Sequence, residues 1–278
     1  MKNIDTLHEI ILHVGLPKTG TTSIQETLFL HDNNVFLIEQ GYLYPECWPV
    51  NHSLAIYSAF CDHPDKYELN IYQGLNQDEI KVANKNYLDT LVSWTKEIPH
   101  KKLIISGEDI SSLTDNNLFL LRQYLESLYT PKPIIKVFLY VRNPVDWAES
   151  GIQELMKYNQ TKQDAINYYK NILNNHLSST LDKLINIFGR EYVKITSFEK
   201  AITHNHGIVG HFLMSIGFNK NHLSNIKYIK SNERISQIAL DIIVYINENS
   251  TFLKDGYLHR TGSFVYFFWN KRKKIFSR

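Results

Sequence analysis

The segment Ile10-Ile11-Leu12-His13-Val14-Gly15-Leu16-Pro17-Lys18-Thr19-Gly20-Thr21-Thr22-Ser23 passes from a run of large apolar residues into a glycine-bracketed turn and then into three consecutive hydroxyls. Residues 10–14 read as a buried strand. Ile24 and Leu28 lie one turn apart and predict a helix from about Thr22 to Leu30. Gly15 and Gly20 have the Gly-x-x-x-x-Gly spacing of a P-loop, and Thr22 supplies its hydroxyl. Small residues let backbone N–H groups turn onto phosphate oxygens, and the helix N-terminus adds partial positive charge. The cation is displaced, however. Thr21 stands where an ATPase loop carries lysine, and Lys18 lies three residues earlier. The competing reading is a tight turn whose Thr21, Thr22 and Ser23 merely cap the helix. The ordered sequence of strand, two glycines, lysine, hydroxyls and helix outweighs it.

Outward from this turn, apolar runs alternate with helical spacing. Residues 103–106 and 134–141 read as buried strands, and Tyr192 to Ile195 as a short fourth. Helices are predicted over 82–96, 114–128, 144–157, across 163–188, and near 207–216 and 234–248. This pattern predicts an α/β fold of the three-layer P-loop type, a central parallel sheet flanked by helices. Glycine (12) and proline (8) are sparse and no linker-like stretch divides the chain, which predicts one domain over 1–278. Its core covers about 8–250, with 251–278 as a C-terminal extension. Ligands of such sheets bind beyond the carboxyl ends of the strands, after Val14, Ser106 and Val141.

Pro17-Lys18-Thr19-Gly20-Thr21-Thr22-Ser23 resembles the 5′-phosphosulfate loop of sulfotransferases that use 3′-phosphoadenylyl sulfate (PAPS), and the shifted lysine separates that loop from an NTPase loop. The resemblance implies that Gly15, Pro17, Lys18, Thr19, Gly20, Thr21, Thr22 and Ser23 contact the 5′ end of PAPS, with Lys18 at the leaving phosphate. It further implies an arginine at the end of a later strand and a serine two helical turns on, holding the 3′-phosphate. Arg142 and Ser150, eight residues apart, fit that demand. Asn143, Pro144 and Asp146 suit a helix start between them. The likeness spans roughly 10–200. It includes Tyr192-Val193-Lys194-Ile195 with Ser197-Phe198-Glu199, and more weakly Lys230, Asn232 and the helix ending near Asn247, a segment that in the family can close over the cofactor. Adenosine 3′,5′-bisphosphate is the implied product, no metal is implied, and the implied acceptor is a hydroxyl, most naturally of a carbohydrate or glycolipid.

A hydroxyl acceptor needs a general base. His52 and Glu108 are the two candidates, with a small preference for His52, whose ordinary pKa is near neutral. Glu108 follows the second strand and would otherwise orient the acceptor or a lysine. Each has an ordinary structural alternative: a packing histidine, or a helix-capping glutamate.

Charge adds little about partners. The chain has 30 basic and 28 acidic residues, which gives no support to nucleic-acid binding. Five of those 30 cations lie in Lys271–Arg278, and the remaining 25 face 28 acids, so the body is net −3 and the tail basic. The aromatic and basic run from Phe267 is a candidate for contact with an anionic membrane surface or glycan, or else a frayed terminus. Two cysteines without metal spacing, no signal-like start and no long apolar run predict a cytoplasmic protein, with the tail as a candidate anchor at the inner membrane face. The rival functions are a P-loop kinase or NTPase, and a non-catalytic nucleotide-binding protein.

Overall fold

The computed structural model describes residues 7–157, 161–172 and 176–231, together with 244–245, 253–254 and 257–258. The strands are β1 (Glu9–Val14), β2 (Tyr42–Leu43), β3 (Lys102–Gly107), β4 (Ile134–Val141), β5 (Val193–Ser197), β6 (Leu253–Lys254) and β7 (Tyr257–Leu258). The helices are α1 (Thr21–Phe29), α2 (His31–Glu39), α3 (Ser53–Phe60), α4 (Glu68–Tyr72), α5 (Gln77–Glu97), α6 (Asp115–Ser127), α7 (Pro144–Lys157), α8 (Lys162–Ile172), α9 (His176–Phe188), α10 (Phe198–Ile202) and α11 (Gly207–Ser215). Contacts group the chain into two compact units, residues 1–143 with 176–232, and residues 144–175 with 233–278.

The first unit holds a five-stranded sheet in the order β2-β3-β1-β4-β5, with every pairing parallel. β1 is central because it is buried from Ile10 to Val14, and only a strand covered on both faces is buried so continuously. Its alternation assigns the two layers. Ile10, Leu12 and Val14 join a core with Leu103, Ile105, Val137 and Leu139 and with residues of α3, α5, α6 and α9. Ile11, Ile104, Phe138 and Tyr140 face the other way, onto Ile24 and Leu28 of α1 and Phe212 and Leu213 of α11. The expected three-layer α/β arrangement with a parallel central sheet is therefore present.

In the second unit, Trp147 and Tyr169 meet edge to face at 5.0 Å, joining α7 to α8. Gly151 lets them approach, since a Cβ there would sit 1.8 Å from the Tyr169 hydroxyl. β6 and β7 form an antiparallel pair.

Some elements differ from expectation. The span 163–188 divides into α8 and α9, and the strand expected at 192–195 runs from Val193 to Ser197. β2, at two residues, is too short to carry a periodic signal. The helix expected at 234–248 lies outside the described residues apart from 244–245, as do Asn232 and the basic tail. No helix among the described residues is long and apolar enough to cross a membrane.

Gly15 ends β1 where the chain turns under α1, and a Cβ on it would lie 2.4 Å from the Thr21 hydroxyl. Gly15→Ala is expected to lower stability by about 1–3 kcal/mol through overpacking, measured as a shift in the urea midpoint.

Candidate active site at the carboxyl edge of the sheet

The parallel register brings the loops after β1, β3 and β4 to one edge. In the first loop Lys18 has φ +66° and Gly20 φ +78°, both left-handed. A lysine in that region is strained, and the surroundings must enforce it. Thr19, fully buried, does part of this by donating its hydroxyl to the Leu16 carbonyl at 2.6 Å. Phe198 and Ile208 close over Gly20, where a Cβ would stand 3.4 and 3.2 Å from them. Left-handed residues within such a turn aim successive N–H groups into one concavity, which favours an anion.

The loop's hydroxyls have separate uses. Thr21 Oγ1 is buried against Gly15 without a hydrogen-bond partner. Ser23 Oγ accepts from the Ser231 backbone N–H at 3.0 Å. Thr22 is the one of the four threonine and serine side chains in this loop that is only partly buried. The Ser23 contact ends a ladder in which side chains of α1 and α2 hold alternate residues of an extended segment. Asn33 Oδ1 accepts from the Lys227 N–H at 2.9 Å, and Thr27 Oγ1 from the Ile229 N–H at 3.0 Å. Ser231 Oγ donates to Glu26.

Arg142 follows β4, the neighbour of β1. Its Nη1 donates to the Lys18 carbonyl at 3.1 Å, and its guanidinium lies 5.2 Å from the Phe198 ring centre. The turn after β5 holds this corner, since Glu199 accepts from the Asn143 N–H at 2.8 Å and from the Ser197 hydroxyl at 2.8 Å. Those bonds, the Asn143 N–H first, keep the Glu199 carboxyl below its usual pKa, and Arg142 contributes. Ser150 lies in α7, in the second unit, two turns from the end of β4.

A polar knot underlies the loop after β3. Ser106 is fully buried, and its N–H donates to His52 Nδ1 at 3.2 Å while its carbonyl accepts from the His52 N–H at 3.0 Å. Its hydroxyl pairs with His13 Nδ1 at 2.8 Å, and Gln25 Nε2 reaches the Ser106 carbonyl and hydroxyl, each at 3.2 Å. His52 is fully buried, stacked on Tyr44 at 4.3 Å, and its Nε2 has no partner in hydrogen-bond geometry. Burial pushes the His52 pKa down to about 3 against the opposing pull of the Pro45 carbonyl, and burial alone does the same for His13. With Nδ1 accepting from a backbone N–H, the neutral ring carries its proton on Nε2. It has no lone pair left to take one from an acceptor.

Glu108 lies beyond the knot, partly buried, at the start of a short 3-10 helix, Asp109–Ser112. Its carbonyl accepts from the Ser111 hydroxyl at 2.8 Å and the Ser111 N–H at 3.2 Å. Asp109 N–H donates to Ser53 Oγ at 3.1 Å, and Lys183 Nζ donates to the carbonyls of Ser111 and Leu113 at 3.0 and 2.6 Å. The turn bearing Glu108 is thus fixed from three sides. Lys18, Arg142 and the supports of Glu108 all belong to the first unit. Ser106, Gln25 and His13 were not singled out in the sequence, although a serine closing an apolar strand and a glutamine between Ile24 and Leu28 are its visible traces. Among the described residues no three His, Cys, Asp or Glu are grouped to hold a metal ion.

No protein-family model matches the chain, and no curated protein does. Among solved structures it is similar to a sulfotransferase from Alicyclobacillus acidocaldarius, at 15% identity over 85% of this chain and 91% of that one, with a TM-score of 0.47. It is also similar to the sulfotransferase domain of the curacin biosynthetic pathway (11% identity, 95% and 98% covered, TM-score 0.41). A third likeness is to a retinol dehydratase in complex with androsterone and the inactive cofactor PAP (14% identity, 86% and 64% covered, TM-score 0.36). Likenesses this distant carry no inference about activity.

The two buried histidines have a measurable consequence. Their pKa values, about 3, lie below the ordinary 6.5, so the unfolded chain binds protons that the folded chain refuses. Stability is therefore expected to fall as pH drops below about 6.5, by about 2 kcal/mol per histidine between pH 7 and 5. Urea melts across that range should show the slope, and His52→Asn should remove about half of it.

Proposed function

We propose that the chain is a sulfotransferase that takes PAPS and transfers its sulfuryl group to a hydroxyl, on a carbohydrate or glycolipid. The observation that carries this reading is the docking of a second basic residue on the lysine-bearing loop: the Arg142 guanidinium donates to the backbone carbonyl of Lys18. A guanidinium held against the backbone of the left-handed turn that carries Lys18 suits a ligand with two anionic groups. Thr21 in the position of the NTPase lysine favours a phosphosulfate over a nucleoside triphosphate.

The residues present fit the group. The loop concavity and α1 N-terminus, with Lys18 and Thr22, would hold the 5′ end. Thr19 and Ser23 shape the loop instead, because their hydroxyls are committed to Leu16 and Ser231. Arg142 would hold the 3′-phosphate by its planar fork. Bound there, PAPS supplies an activated sulfuryl group. The protein's own contribution is positioning and charge stabilisation, as in phosphoryl transfer. Lys18 neutralises the charge that develops on the phosphate side. Glu108 is the better proposed base, since it lies at the carboxyl edge with its turn fixed, whereas His52 is sealed beneath it.

Adenosine 3′,5′-bisphosphate is expected to raise the melting temperature of the protein well above the effect of ATP at equal concentration; a larger shift with Mg-ATP would overturn the reading in favour of an NTPase. Arg142→Ala should weaken bisphosphate binding by about 1.5–3 kcal/mol, while Lys18→Ala should mainly cut turnover. In a sulfate-transfer assay Glu108→Gln should lose about 100-fold or more in kcat with bisphosphate affinity unchanged. His52→Asn should act on stability instead.

A further inference from the structure

The first unit contains a cavity of about 240 Å³ between the end of α3, the segment leading into α4, and the start of α6. That is roughly the room of eight waters, enough for one sugar ring. Tyr57 and Tyr67 form its aromatic wall, their rings 4.7 Å apart and tilted. Asp62, His63, Lys66, Glu68 and Asn117 are among its polar groups, and Asn117 Nδ2 donates to Asp62 Oδ1 at 3.0 Å. Ser112 and Leu113 line it too, so the cavity adjoins the turn that begins at Glu108. Three residues of the 3-10 helix lie between Glu108 and Ser112, a rise of ~8 Å over the four steps. Tyr67 ties wall to turn directly, since its hydroxyl donates to Asp109 Oδ2 at 2.6 Å.

Aromatic faces offer stacking to the C–H faces of a sugar, and carboxylates accept from its hydroxyls. The lining carries two carboxylates, Asp62 and Glu68, against one lysine, Lys66, and one imidazole, His63, with the Asp109 carboxyl behind the wall. An anionic sugar meets like charge there. We propose that this cavity is a subsite for a neutral sugar next to the one whose hydroxyl reacts, and that it discriminates against uronate or sulfated residues. The inference rests on the sulfotransferase reading for the neighbouring reactive hydroxyl; the saccharide site itself stands on the cavity.

The test uses the full chain saturated with adenosine 3′,5′-bisphosphate, titrated by NMR with lactose, cellobiose, N,N′-diacetylchitobiose and the uronate-bearing hyaluronan disaccharide. At least one neutral disaccharide should bind and shift signals of the cavity lining. Tyr57→Ala should weaken it about fivefold, and Tyr57→Phe should leave it unchanged. The hyaluronan disaccharide should bind markedly less well, and Asp62→Asn with Glu68→Gln should narrow the gap. No shift at the cavity with any neutral disaccharide, equal or tighter binding of the uronate, or binding insensitive to Tyr57→Ala would overturn the proposal. Bisphosphate affinity, measured on every variant, reports folding. It also separates the two claims: sugar binding without bisphosphate binding sinks the sulfotransferase reading alone, and bisphosphate binding without sugar binding sinks the subsite alone.

Discussion

The hydrogen bond from Arg142 to the Lys18 carbonyl is available only because β1 and β4 are parallel neighbours. Parallel pairing sends both chain ends off the same edge, so a residue just past β4 reaches a turn just past β1. An antiparallel partner would have put the guanidinium at the opposite end of the sheet. The bond also fixes the direction of a carbonyl in a strained turn, and with Thr19 it maintains the left-handed lysine.

The knot around Ser106 serves the same edge from beneath. It links β1 through His13, α1 through Gln25 and the start of α3 through His52. Two buried imidazole nitrogens lack partners in it, a cost that an apolar packing would not carry. In return the ends of three elements are held in register by directional bonds, where apolar contacts would allow sliding. Active sites commonly depend on such rigidity.

Much of this edge was legible in the sequence. The apolar runs of β1, β3 and β4 and the glycine spacing gave the sheet and its first loop, because burial on both faces leaves an unbroken hydrophobic signal. Arg142 was found through the sulfotransferase resemblance, which implies an arginine at the end of a later strand. His52 drew attention as a titratable residue, but sequence does not report burial, and a single backbone N–H at Nδ1 changes what the ring can do. The knot was invisible because its members are scattered from residue 13 to residue 106 and are individually ordinary. The short strand β2 left no periodicity to read. The cavity beside Tyr57 and Tyr67 depends on the spatial meeting of α3, α4 and α6, which no local pattern encodes.

The extended segment at Lys227, Ile229 and Ser231 grips α1 and α2 through every second residue. Its last rung is Ser23, one turn into the helix whose first N–H groups face the loop. Such a laddered attachment staples the chain at Ser231 to the first turn of α1, so a residue 208 positions downstream of Ser23 braces the helix that opens at the loop.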